Sequence, residues 1–138
     1  MSRFLPLAVA AILVSGCSSY NAPTIPGVAA SALWKGKSIN DAALKWGDPS
    51  GVFRFDDEQN LAFWNSEGNC FVKRYQGRIV EPETKCMLKA KADKEASELS
   101  TCRLEILYDN KGVVKDLKTW QRRAGGCSDL FYGENNPW

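Results

Sequence analysis

Histidine is absent from all 138 residues. That removes the imidazole on which Ser-His and Cys-His nucleophile systems depend, together with the commonest metal ligand. The five cysteines include no C-x-x-C pair, so the usual zinc spacings are excluded as well. Neither sign of charge dominates: the formal net charge is +2, too small to give the footprint of a nucleic-acid partner. An apolar run begins at Phe4 but lasts about ten residues, whereas a membrane-spanning helix takes roughly twenty. The one acidic cluster, Asp56-Asp57-Glu58, lacks the alternate-ligand spacing and the glycine of an EF-hand loop. Three adjacent acids in a turn read as a solvated loop rather than as the paired carboxylates of a glycosidase. No enzyme, metal or cofactor is expected.

What is present starts at the N-terminus. Arg3 supplies a positive segment, residues 5–14 an apolar core, and Ser15 and Gly16 the small residues that precede a cut. A cysteine follows them. Val14-Ser15-Gly16-Cys17 resembles the lipobox of bacterial lipoproteins, whose form is aliphatic, small, small, Cys. The resemblance implies cleavage after Gly16, diacylation of the Cys17 thiol, and acylation (palmitate) of the new amino terminus. Several acyl chains give stable anchoring where one is marginal. Ser18, rather than Asp, follows the cysteine, which in enteric lipoproteins implies the outer membrane. A periplasm-facing, lipid-anchored module is the expectation, with the membrane as its first partner.

Four cysteines remain, Cys70, Cys86, Cys102 and Cys127. An even number in an oxidising compartment predicts two disulfides in one of three connectivities. Proximity along the chain favours Cys70 with Cys86 and Cys102 with Cys127. Residues 17–27 are rich in Ser, Asn, Ala, Pro and Gly and read as a flexible tether, because Pro23 and Pro26 oppose a helix. Residues 28–138 form one domain.

Within that domain residues 28–34 are apolar and alanine-rich and predict a short helix. A second helix is signalled more strongly. Ser38 is an N-cap with Asp41 three positions on, Ile39, Ala42, Ala43 and Trp46 make one apolar face, and Gly47 with Pro49 stops it. The period then changes to alternation: strands over 52–55 and 61–64 flank the turn of residues 56–60, and a third is read over 70–75. Residues 76–100 lose the pattern and are read as an insertion with a solvated helix over 87–99, stapled by Cys70 and Cys86. Residues 102–108 alternate again, Asp109-Asn110-Lys111-Gly112 is a hairpin turn, and residues 113–120 return with Val113 and Leu117 toward the core. On that count Trp120 shares a face with Val114, Asp116 and Lys118.

This order of Gly36-Lys37-Ser38, short helix, Trp46-Gly47-Asp48-Pro49, aromatic hairpin and Gly112-Val113 hairpin resembles small outer-membrane lipoproteins of the SmpA/OmlA type. The accessory lipoprotein of the β-barrel assembly machinery is among them. The resemblance implies an α+β fold in which short N-terminal helices pack on a small antiparallel sheet, an ααβββ layout shared with β-lactamase-inhibitor-like domains. It implies a non-catalytic scaffolding or binding accessory in the envelope. Trp46 stands where that pattern has Leu, and the 76–100 insertion and the disulfides depart from the assembly-machinery member. Two other readings are an inhibitor of a periplasmic or extracellular hydrolase, of lysozyme or β-lactamase type, and a secretion- or conjugation-associated surface lipoprotein. Candidate partner contacts are Trp120, Phe131, Tyr132 and Trp138, since Trp and Tyr dominate binding hot spots; for the last three the competing reading is a tail folded back onto the sheet.

Overall fold

A computed structural model describes residues 24–68, 70–80, 100–122, 124–133 and 136–138. The expected lipidation and cleavage positions Cys17 and Gly16, the cysteine Cys86 and the helix over 87–99 lie outside the described residues. The chain runs α1 (Ile25–Trp34), α2 (Ile39–Trp46), β1 (Gly51–Arg54), β2 (Gln59–Asn65), β3 (Arg74–Tyr75), β4 (Arg78–Ile79), β5 (Cys102–Asp109), β6 (Val114–Gln121) and α3 (Ser128–Tyr132). The architecture is α+β. Four antiparallel strands lie in the order β1-β2-β5-β6, and β3 with β4 makes a separate hairpin.

α1 starts earlier than the prolines suggest. Thr24 caps it by accepting the Gly27 N–H at 3.1 Å, and Pro26 sits in the first turn, where a missing N–H removes no intrahelical bond. The tether therefore ends before Thr24 rather than at Gly27. α2 matches its signals: Ser38 accepts the Asn40 N–H at 3.1 Å, and Ala42 and Trp46 are buried. Gly47 ends it at φ 82°. A Cβ there would stand 2.6 Å from the backbone N and O of Arg74, so the close crossing of α2 and β3 requires glycine.

The covered face of the sheet carries Ala62 and Trp64 of β2, Cys102, Leu104 and Ile106 of β5, and Val114 and Leu117 of β6, all buried. Trp34 and Trp46 from the helices close over it, with ring centroids 4.8 Å apart, and Trp46 lies 6.0 Å from Trp64. The buried indole of Trp64 donates to the Gly47 carbonyl at 3.0 Å, and that of Trp34 to the Pro137 carbonyl at 3.0 Å. A bulge between Leu107 and Tyr108 pairs Tyr108 with Val114 and Leu107 with Asp116. The extra residue switches the alternation. Val114, not Val113, therefore points to the core, and Trp120 shares its face with Asp116 and Lys118 but not with Val114.

Cys102 and Cys127 are joined by a disulfide. Cys70 is buried and disulfide-bonded. Beside them Ser66 is a buried polar hub: its Oγ donates to the Gly68 carbonyl at 2.6 Å and accepts the N–H groups of Thr101 at 3.1 Å and Cys102 at 3.0 Å. The expected strand over 70–75 reduces to Arg74–Tyr75. It turns at once through Gln76 and Gly77, both at positive φ (52° and 75°), as a two-residue hairpin loop requires.

Candidate binding groove

A groove of about 490 Å³ runs between α1 and β6, lined on one side by Thr24, Gly27, Val28, Ser31, Ala32 and Lys35, and on the other by residues 116–120. The helical residues recur every three or four positions, one face of α1. α1 is apolar almost all round, a pattern that elsewhere marks a helix buried on every side. Here only Ala30 and Trp34 are buried; Ile25 is 88 % and Val28 59 % exposed.

Asp116 ties the two walls together. Its Oδ1 accepts the Ser31 hydroxyl at 2.7 Å and the Leu117 N–H at 2.9 Å, so one carboxylate oxygen holds helix to strand and takes up one backbone donor. Gly27 lets the helix backbone come close to the strand: a Cβ there would lie 3.3 Å from Thr119 Oγ1. Lys35 and Lys118, both exposed, have no ion pair among the described residues. Asp116 has no ion pair there either, so the two lysines leave the groove with one positive charge in excess.

The aromatic candidates separate. Trp120 is half-buried and lines the groove. Phe131 is only 4 % exposed and belongs to the core, which removes it as a partner contact. Trp138 is partly exposed, but its ring packs against Phe131 and its Nε1 donates to the Phe131 carbonyl at 3.1 Å. Its own carbonyl accepts Lys45 Nζ at 3.3 Å. The tail thus folds back. Tyr132 is 77 % exposed. Burial, aided by the neighbouring Lys37 and Lys73 charges, holds the Lys45 ammonium below its ordinary pKa. Ser38 and Gly47 cap α2 and reach no groove. Cys102 and Cys127 brace the end of β6 from which α3 departs.

In the acidic turn, Asp56 Oδ1 accepts the N–H groups of Glu58 and Gln59, each at 2.8 Å. Arg54 donates to the carbonyls of Asp56 at 3.1 Å and Asp57 at 3.0 Å. This is a self-bonded loop. Among the described residues no three His, Cys, Asp or Glu side chains gather as a metal site. Of the groove residues, sequence reading reached only Trp120; nothing in their spacing marks Ser31 and Asp116, 85 positions apart, as neighbours.

No family model matches the chain, and no curated protein or solved structure matches it.

Proposed function

We propose that this protein is a lipid-anchored, non-catalytic binding accessory of the bacterial envelope, held at the periplasmic face of the outer membrane through Cys17, and that the α1–β6 groove is its partner surface. The observation that carries the reading is the groove: an apolar helix left open on one side, beside a strand, with unpaired positive charge at its rim. Its placement adds support. Seven residues separate Cys17 from Ile25, a reach of at most ~25 Å when extended, so α1 is the element nearest the anchor. Two short helices ahead of an antiparallel meander also fit the SmpA/OmlA-type layout, and a second disulfide between Cys70 and Cys86 belongs to the same reading.

Two measurements test it. Cys17→Ser abolishes radiolabelled palmitate incorporation and shifts the protein out of the membrane fraction; unchanged labelling and fractionation contradict the anchor. A photocrosslinking residue at Ala32 gives an envelope adduct that the same residue at Asp57 does not. An adduct from Asp57 alone favours the second reading, a hydrolase inhibitor. That alternative draws its support from the β1–β2 hairpin, where Phe53 and Phe55 are 46 % and 61 % exposed beside the braced acidic turn.

A further inference from the structure

β6 is a sheet edge among the described residues, and its hydrogen-bonding phase follows from the register. Arg122 N–H donates to the Thr101 carbonyl at 3.0 Å and brackets the Cys102–Gln121 pair, which is therefore a non-hydrogen-bonded pair. Alternation then sends the backbone groups of Asp116, Lys118 and Trp120 inward to β5, and those of Leu117, Thr119 and Gln121 outward. The outward Leu117 N–H is held by Asp116. The Leu117 carbonyl and both backbone groups of Thr119 open into the groove, and no hydrogen bond among the described residues uses them. At the start of β6 the backbone groups of Val114 are taken by the Gly36 N–H at 2.9 Å and the Lys37 carbonyl at 2.8 Å, so the open stretch runs from Leu117 to Gln121, and a short open edge of this kind is a template for another strand.

We infer that an extended acidic segment of a partner protein adds to β6 as a further strand in this groove, pairing with the backbone of Leu117 and Thr119. This deepens the binding reading above and rests on it. The walls specify the alternation. Side chains of the added strand that share the Thr119 face meet Val28 and Ala32 of α1, so they are apolar. On the opposite face the side chain beside Lys118 is acidic and Lys35 at the end of α1 adds a second cation, while Asp116, on the same face as Lys118, offsets one of the two. Main-chain hydrogen bonds supply affinity and the alternate side chains specificity, as in other strand additions. A second copy of this chain is the poorer occupant, because its own β6 edge brings Lys118 and Lys35 against one Asp116 and so repeats the same excess of positive charge.

The test uses the folded chain and a blocked peptide of about seven residues alternating Val and Glu, observed by amide NMR and hydrogen exchange. Saturable binding below about 1 mM is expected, with shifts centred on Thr119 and Gln121 and exchange at Thr119 slowed at least about tenfold. Two N-methylated peptides keep sequence and charge but block alternate nitrogens. Methylation of one set weakens binding at least about tenfold, as loss of two or more backbone bonds requires; methylation of the other set, which faces solvent, leaves it within about twofold. A Val and Lys peptide binds more weakly, and Lys118→Glu reverses that preference. Thr119→Pro removes an outward donor where proline is tolerated and weakens binding without altering the inward amides. Several outcomes overturn the inference: equal effects of both methylated peptides, shifts centred on the β1–β2 hairpin, no binding at all, a Thr119 amide already protected in the free protein, or a dimer that protects Thr119 without peptide. If strand pairing fails while crosslinks from Ala32 persist in the envelope, the mode is wrong and the groove reading stands; if both fail, the groove reading falls too.

Discussion

The tryptophan end of the sheet and the β6 edge are products of the same antiparallel pairing, yet they are finished differently. At the first, Trp34, Trp46 and Trp64 interlock, and the indole N–H groups of Trp34 and Trp64 find carbonyls supplied by Pro137 and Gly47. At the second, among the described residues one side-chain hydrogen bond, Ser31 to Asp116, joins α1 to β6, with a groove between them. Burial is complete in one place and withheld in the other. Residues at the closed end thus determine whether the domain folds, while residues along the open edge are free to serve recognition at little cost in stability.

Trp46→Ala probes the closed end most severely. Trp46 is 2 % exposed, and its loss is expected to cost about 3–5 kcal/mol, a large part of the total for a domain of this size. An unfolding free energy, from chemical denaturation, lowered by less than a third of that would mean the end is not closed as described. Replacing Cys102 and Cys127 together by alanine opens a loop with a separation of 25 residues and is expected to cost about 3 kcal/mol, measured under the same denaturant. Ser66→Ala is expected to cost about 1–3 kcal/mol, since it leaves the buried Cys102 N–H without its acceptor. Lys118→Glu, at the open edge, should change stability by no more than about 0.5 kcal/mol while it inverts the charge preference for peptides; a larger stability loss would erase the contrast between the regions.

The smallest effect concerns Asp109. The Val113 backbone N–H, above all, and then Lys111 N–H and Lys115 hold its carboxyl below the ordinary 3.8. Oδ1 accepts both amides at 2.9 Å. The folded hairpin favours the charged form, so its contribution is full above the unfolded value and is lost as pH falls through the lower folded value. Thermal scans of wild type and Asp109→Asn should therefore differ near about pH 7 and converge below about pH 3. A gap that widens on acidification would reverse the sign.

What the sequence made legible was local. Ser38 and Gly47 bracket α2, Asp109 to Gly112 turns the last hairpin, and Cys102 pairs with Cys127 across that hairpin, because each signal lies within one element or one loop. Proline at position 26 misled because its effect depends on whether it stands before or inside the first turn, which Thr24 decides. The β6 bulge misled because one extra residue reverses every later side chain while leaving composition unchanged. Phe131 read as a candidate contact because nothing near it in sequence covers it; the covering came from the core and from Trp138. The groove was invisible for a stronger reason. It consists of a backbone edge, which no side chain encodes, and of a contact between Ser31 and Asp116 that exists only after the sheet has formed. Ser66 was missed likewise, since a buried hydroxyl and a loop hydroxyl are the same letter.

Amide hydrogen exchange along β6 in the free protein tests the contrast most directly. Alternation is expected: Lys118 and Trp120, facing β5, exchange slowly, as does Leu117, held by Asp116, while Thr119 and Gln121 exchange close to the rate of exposed amides. Uniform protection from Leu117 to Gln121 would mean that the edge is already paired and would contradict the open groove.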